Sequence, residues 1–524
     1  MPLMNKILSA LHTHASRTPD TIALQTHDRS LSYLQLTQQI NLLAHWLGQQ
    51  RVNRVGLWGE NSMEWIIADL AAWQAGVTVV PLPRFFSATQ LQHVMESARL
   101  DGVISCGDIA PVIDSWARIA TPIDTISLDT KSDPVRELEK TANTLAKITF
   151  TSGTTGNPKG VCLSHQAIEQ TTLALAERIY TDTTRATLHR HLNLLPLSTL
   201  LENIAGVYVP LYLGQCALVF AGAALGLHGS SQLSLPTLLG MMHQYQPNSL
   251  IVLPQILQAL VMAASHGYSM PASLTFIAVG GAHTPRQLIQ QARLSGLPVY
   301  EGYGLSECAS VVSLNHAAAD KVGSVGKPLA HVDVKIQDGL IQVRGNGFSG
   351  YLDQASAQDE WIDTGDLGYI DEEGFLFITG RRKNLLISSY GRNISPEWIE
   401  AELLLSPHIR QVIVLGDAQA YCAAIIVPTA QEGNPEAILQ SIVLVNDRLP
   451  DYARIRKFFL TTETFTPVNN LLTDNGRLRR PAIASRYAQA IEALFAEQPV
   501  HQTQPIPDQQ KPAQYVTGAI YDIF

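Results

Sequence analysis

The chain has 524 residues, 46% hydrophobic and 15% charged, which is too apolar for a disordered protein and long enough for two to four domains of about 100–200 residues each. Lysine and arginine number 36 against 45 acids, so a net charge of -9 offers no overall positive field for a polyanion, and nucleic acid is not an expected partner. The five cysteines, Cys106, Cys162, Cys216, Cys308 and Cys422, stand singly, without the close spacing of zinc sites or redox pairs, which fits a reducing cytoplasm.

From Met1 to Ser16 the apolar residues Met4, Ile7, Leu8 and Leu11 recur at helical spacing around one charged side chain, Lys6. A secretory signal would instead show a continuous apolar block after a basic start. Helical patterns at Tyr33–Gln49 and Ser62–Gln74 then alternate with short β-branched runs at Arg54–Trp58 and Gly76–Pro81. This is the rhythm of βαβ units and predicts a parallel sheet.

The stretch from Ile148 to Gly160 is an apolar strand that runs into hydroxyls and glycines and reaches Lys159. Gly153 and Gly156 let the backbone turn its N–H groups toward an anion, Thr151, Ser152, Thr154 and Thr155 supply hydroxyl donors, and Lys159 supplies a positive charge. A phosphate-binding loop is the expectation, because a surface turn needs no such concentration of donors directly after a strand. It is not the loop of nucleotide kinases, since Lys159 is followed by Gly160 and Val161 rather than by serine or threonine.

Between Asn203 and Pro285 there is no Asp, Glu, Lys or Arg. The two most apolar windows, Val207–Leu227 and Leu250–Ala264, are interrupted by proline, glycine and glutamine, so neither is the uninterrupted run of ~20 residues that a membrane span requires. We expect a segment buried between layers, with helices at Leu235–Tyr245 and Gln255–Ala264 beside strands at Ala217–Phe220 and Ser249–Leu253. After Gly380 the basic run Arg381, Arg382, Lys383 opens a shorter pattern: helix Pro396–Leu405, strands Gln411–Leu415 and Ala423–Val427, helix Pro435–Leu449. Gln498 to Ala513 is rich in glutamine and proline and reads as a polar tail.

With the phosphate loop, four further stretches make the chain resemble the adenylate-forming, or AMP-binding, superfamily: Gly280-Gly281-Ala282 after an expected strand at Leu274–Val279, Glu301 to Glu307, Asp363 to Asp366 followed by Gly374 to Arg381, and Gly391 to Glu397. The ending from Asn470 to Arg480 and the stretch Gly323 to Leu329 are most similar to long-chain fatty acyl-CoA synthetases. The resemblance implies an α/β fold: a large N-terminal domain of several subdomains with mainly parallel sheets (1–380), a small mobile α+β C-terminal domain (381–497) joined by a hinge, and a polar tail (498–524).

It also implies roles for single residues. Thr151, Ser152, Gly153, Thr154, Thr155, Gly281, Ala282, Tyr303, Gly304, Ser306, Asp366 and Arg381 would hold the nucleotide. Thr154 and Glu307 would hold Mg²⁺, Lys159 and Glu307 would act with Arg477 in catalysis, Lys383 would be the hinge, and Gly391 would border the thiol tunnel. The implied cofactors are ATP, Mg²⁺ and CoA, or the phosphopantetheine of an acyl carrier protein, with a fatty acid as substrate, no transmembrane segment, and peripheral membrane contact left open. The resemblance implies a reaction in two steps: a carboxylate would attack the α-phosphate with loss of pyrophosphate, and after rotation of the small domain a thiol would attack the acyl-adenylate.

Two positions depart from the family pattern. Thr199 stands where a histidine usually gates the acyl pocket, and Arg477 stands where a lysine usually reaches the α-phosphate. Arginine keeps the charge but is longer and forked. Two other readings therefore stay open: a ligase that hands its acyl group to a carrier protein, and a non-catalytic acyl-nucleotide binding protein. The basic residues Arg454, Arg456, Lys457, Arg479 and Arg480 suit CoA phosphates, an acidic carrier, or simply a solvated face.

Overall fold

Local capping chemistry sets the first helices. Asn5 accepts from the N–H groups of Ile7 and Leu8 and starts Lys6–Arg17, whose buried side is Ile7, Leu11 and Ala15. Ser32 and Gln35 form a reciprocal capping box at the start of Tyr33–Gln50. Ser62 opens the helix Met63–Ala75, and Gly76 closes it with a left-handed φ of 78°. The computed structural model describes residues 5–108, 112, 121–122, 145–151, 158–179, 189–228, 232–345, 348–355, 360–430, 434–473, 476–496 and 518–523.

Two large sheets follow from these units. In the first, the strands Val299–Tyr303, Phe276–Val279, Ser249–Val252, Arg190–Leu192, Cys216–Leu218 and Ile22–Gln25 lie side by side, all parallel, with antiparallel strands only at the two edges. In the second, Leu145–Thr151, Thr78–Leu82, Arg54–Gly59 and Gly102–Cys106 are parallel neighbours, and Lys159–Ser164 and Phe348–Tyr351 extend the sheet antiparallel beyond Leu145–Thr151. A third, wholly antiparallel sheet of Asp333–Gln337, Leu340–Arg344, Ile362–Ile370 and Leu376–Arg381 completes the N-terminal part. The alternation of helical and β-branched runs anticipates the first two sheets but not this one.

The charge-free segment supplies much of the interior, although Met262 and Tyr268 face solvent. Its strands Cys216–Leu218, Ser249–Val252 and Phe276–Val279 and its helices Leu235–Tyr245 and Pro254–Ser265 make most of one hydrophobic cluster that includes Phe220, Leu239, Leu257 and Leu260. It also contains a π-helical turn, Ile204–Tyr208, that periodicity does not reveal.

The C-terminal part is a small α+β domain built on the sheet Ile409–Leu415, Cys422–Pro428, Ile455–Thr461 and Gly518–Asp522. The last strand corrects the reading of everything after residue 497 as tail. Gly518–Asp522 pairs antiparallel with Ile455–Thr461, and Ile520 is buried against Phe459 in the domain's core. This part touches the charge-free segment where Gln258 Nε2 donates to the Leu404 carbonyl at 2.8 Å. Among the described residues, no helix is long and apolar enough to cross a membrane.

Candidate active site

The nucleotide-type motifs sit at the C-terminal ends of the parallel strands and on the third sheet. Thr151 ends the strand Leu145–Thr151 and pairs directly with Lys159, the first residue of the next strand, and between them in the sequence comes the stretch expected to bind phosphate. Its central residues Ser152, Gly153, Thr154 and Thr155 lie outside the described residues.

Gly281 and Ala282 follow the strand Phe276–Val279, which is in register with Val299–Tyr303 through Val279 and Glu301. Gly281 has a left-handed φ of 82°, which favours glycine there. Gly304 is required for a different reason. A Cβ on it would lie 1.6 Å from the Ser310 carbonyl oxygen, so the chain leaving Tyr303 can turn back on itself only without a side chain. This tight return positions the 3₁₀ turn Ser306–Cys308, and with it Ser306 and Glu307, beside the end of the sheet.

Around Asp366 the structure gathers three of the residues singled out in the sequence. Asp366 and Arg381 are opposite each other on neighbouring strands. The Tyr303 hydroxyl donates to Asp366 Oδ2 at 2.7 Å, and Arg381 Nε donates to Oδ1 at 2.6 Å. Gly365 makes the preceding bend at φ 72°, with its N–H given to Asp363 Oδ1 at 2.8 Å, and Asp366 N–H goes to Thr364 Oγ1 at 3.1 Å. Burial first, then the negative charge of Asp366, pushes the Tyr303 phenol far up, so it remains a donor.

Lys383 and Arg477 share this electrostatic neighbourhood. Burial lowers the Lys383 pKa, Arg381 and Arg477 lower it further, and Asp366 and Glu397 oppose them. The protein packed around the Arg477 guanidinium and the nearby Arg381 lower its pKa, Asp366 opposing, although the side chain keeps an open face to solvent. The hairpin that carries Arg477 is pinned by Thr473, whose Oγ1 accepts the Arg477 N–H at 2.9 Å. Arg381, Lys383 and Arg477 thus share the fields of Asp366 and Glu397.

A second group forms around Tyr351. Glu307 Oε1 accepts from the Tyr351 hydroxyl at 2.9 Å, and Lys159 Nζ lies 5.7 Å from the centre of the Tyr351 ring. Tyr351 belongs to no motif read from the sequence, and nothing in its local sequence marks it. The strand pairing that brings it to Lys159 joins segments nearly two hundred residues apart.

Gly391, with φ 69°, forms the exposed turn of the hairpin Leu386–Ile387 and Asn393–Ile394, held by its N–H to the Ser388 carbonyl at 2.8 Å. Glu397 behind it accepts from Asn384. Thr199 precedes the short helix Leu200–Asn203, and its hydroxyl donates to the Pro196 carbonyl at 2.7 Å.

Two buried polar networks support these groups. Lys147, in the strand that leads to the phosphate loop, meets Asp69 Oδ1 at 2.9 Å and the Tyr208 hydroxyl at 3.1 Å, and Asn203 Nδ2 donates to Asp69 Oδ2 at 2.9 Å. A lysine in the middle of an apolar strand is the sequence signal that such a partner is needed. Beside it, Glu202 accepts from Asn193 Nδ2 at 2.8 Å and from the Leu195 N–H at 3.2 Å, with His191 Nε2 at 3.2 Å. Of the basic residues in the small domain, Arg480 is committed internally to Glu400, at 2.6 Å from Oε2.

Residues 11–352 match the AMP-binding enzyme family, and residues 383–499 match the AMP-binding enzyme C-terminal domain. The chain is 30% identical over 429 residues to a 2-succinylbenzoate–CoA ligase of Bacillus pumilus, covering 76% of this chain and 82% of that protein. It is 26% identical over 553 residues to a long-chain-fatty-acid–CoA ligase of Mycobacterium bovis, covering 86% and 89%. The crystal structure of an anthranilate CoA ligase in complex with anthranoyl-AMP shares the fold, with a TM-score of 0.79 and 19% identity over 94% of this chain and 99% of that one. The chain belongs to the AMP-binding enzyme family.

Proposed function

We propose that this member of the AMP-binding enzyme family is an AMP-forming acid–thiol ligase, which activates a fatty acid as its acyl-adenylate and transfers the acyl group to CoA. The observation that carries the reading is the cluster Tyr303, Asp366 and Arg381, with Arg477 and Lys383 within electrostatic reach, in one chain with a second group in which Tyr351 meets both Lys159 and Glu307. Each Asp366 oxygen gives one acceptor position to a protein donor and retains another, which suits a pair of ribose hydroxyls.

The chemistry asked of these residues is alignment and charge compensation, because an anionic carboxylate must approach an anionic phosphate. Lys159 and Arg477 would supply positive charge on either side of the α-phosphate. Among the described residues no three His, Cys, Asp or Glu side chains cluster as a metal cage. A cation at Glu307 would therefore take its remaining ligands from phosphate oxygens, water and hydroxyls such as Thr154, which is how Mg²⁺ is usually held, and when bound it would neutralise phosphate charge. After adenylation the small domain, taken as 381–497 together with the strand at 518–522, would turn about Lys383 and bring Gly391 to the thiol path.

The similarity to 2-succinylbenzoate–CoA ligases supports a second substrate reading. That acid keeps a carboxylate after adenylation, and a charge-free pocket wall from residues 203–285 would leave it without a partner, whereas an alkyl chain needs none. Exchange of labelled pyrophosphate into ATP should therefore be driven by medium or long fatty acids, and mass spectrometry should find acyl-CoA rather than an acylated carrier protein. Exchange driven by 2-succinylbenzoate and not by fatty acids would replace the substrate reading. No exchange with any acid would favour a non-catalytic acyl-nucleotide binder.

A further inference from the structure

Tyr351 joins the two charged residues of the second group. It ends the strand Phe348–Tyr351 and stands opposite Val161, two residues beyond Lys159. Its hydroxyl donates to Glu307 Oε1 at 2.9 Å, the Lys159 ammonium lies 5.7 Å from its ring centre, and its ring meets Phe348 edge-on at 5.4 Å. The phenol O–H is the donor of this pair, since an ionised carboxylate can only accept.

The Lys159 ammonium lies over the Tyr351 ring and the Glu307 carboxylate takes its hydroxyl, and with that side chain withdrawn the two charges would attract each other directly. A direct pair would cost the site both charges, since each would satisfy the other. We propose that Tyr351 is a positioning residue, which orients Glu307 toward the divalent cation carried by a nucleoside triphosphate and keeps Lys159 from neutralising it. The proposal rests on the reading of Glu307 as the cation ligand and Lys159 as a phosphate ligand.

Tyr351→Phe removes the hydroxyl and keeps the ring against Lys159 and Phe348, so the fold and the cation–π contact remain. Mn²⁺ binding to the protein saturated with α,β-methylene-ATP, read by electron paramagnetic resonance, should weaken about tenfold, the scale of one hydrogen bond to a charged group. Metal-free AMP binding should be unchanged, and the Mg²⁺ midpoint of pyrophosphate exchange should rise by the same factor, with the rate restored at saturating Mg²⁺. Tyr351→Leu, which also removes the ring, should in addition weaken metal-free binding of the ATP analogue as Lys159 turns to Glu307. In a Glu307→Gln background, Tyr351→Phe should change Mn²⁺ binding by less than about twofold.

Unchanged Mn²⁺ binding in Tyr351→Phe, or an equal loss of AMP and Mn²⁺ binding, would overturn the role of Tyr351 alone. Wild-type protein that binds the ATP analogue but no Mn²⁺ would overturn the reading of Glu307, and the role of Tyr351 with it.

Discussion

Asp69 and Asp366 are each met by one cation and one tyrosine hydroxyl, and the two trios do opposite things. Asp69 faces Lys147 and Tyr208, with both charged side chains only 2% exposed, and Asn203 closes the remaining side. Asp366 faces Arg381 and Tyr303, but Arg381 is 35% exposed, and two further cations, Lys383 and Arg477, lie within electrostatic reach. In the closed trio the donors and acceptors use up one another, so it can only hold structure together. In the open trio the single ion pair stays partly exposed, and Lys383 and Arg477 share its field. Residue identity does not separate the two cases; what fills the remaining side does.

The largest effect expected from breaking this contrast falls on the closed trio. Asp69→Ala leaves Lys147 buried without its counter-charge, and the loss in unfolding free energy should be about 3–5 kcal/mol, read from urea denaturation. Replacing both partners, Asp69→Leu with Lys147→Met, should recover most of that loss, because the cost lies in an unpaired buried charge rather than in the absence of a salt bridge. If the double variant is stable yet inactive in pyrophosphate exchange, the closed trio does more than support the strand that leads to Thr151.

In the open cluster the balance should invert, with chemistry lost and stability kept. Arg477→Ala removes the charge proposed to offset carboxylate–phosphate repulsion, so adenylation should slow by an amount equivalent to about 2–4 kcal/mol, while the thermal midpoint barely moves. Thioester formation from a supplied acyl-adenylate should be nearly unaffected if the domain has turned by then. Arg477→Lys sharpens the test: faster exchange would mean that arginine holds the enzyme back, and slower exchange that the pocket is shaped to the guanidinium. Unchanged exchange in both variants would remove Arg477 from the chemistry.

How much of this was legible in the sequence follows the same division. The parallel sheets were readable from the alternation of helical and β-branched runs, and the helix Leu235–Tyr245 was bounded correctly because Pro236 and the turn after Tyr245 punctuate it locally. Tyr303, Asp366 and Arg381 could be named in advance because each lies in a short motif. Tyr351 and the Asp69–Lys147–Tyr208 trio could not, because what defines them is a pairing across long sequence separations. The terminal strand Gly518–Asp522 was hidden by the polar stretch before it, since five residues pair with a sheet edge without any periodicity of their own. The antiparallel third sheet is not legible in the sequence because its strands carry mixed, half-exposed faces rather than apolar runs.

A third carboxylate gives the smallest effect and the finest test. Glu301 lies two residues before Tyr303, on the same face of its strand, and is buried as Asp69 is, yet no ion pair reaches it among the described residues. Burial pushes its pKa up to about 8, opposed by the Thr284 hydroxyl, which faces it without closing a hydrogen bond, and by the more distant Arg286 and Arg293. An acid whose folded pKa lies above its unfolded value binds more protons when folded, so its contribution to stability is complete near pH 4.5 and is lost as pH rises toward 8. Glu400, raised to about 7 beside Arg480, adds a similar decline that ends earlier. Between pH 7 and 8 the remaining fall belongs mainly to Glu301, at most about 1.4 kcal/mol per pH unit. Glu301→Gln keeps the shape and removes that titration, so its unfolding free energy should fall clearly less across that window than the wild type's, the remainder belonging to Glu400. Parallel curves would mean that Glu301 is already ionised and that Arg286 and Arg293 compensate it, which would put it with the open cluster rather than the closed one.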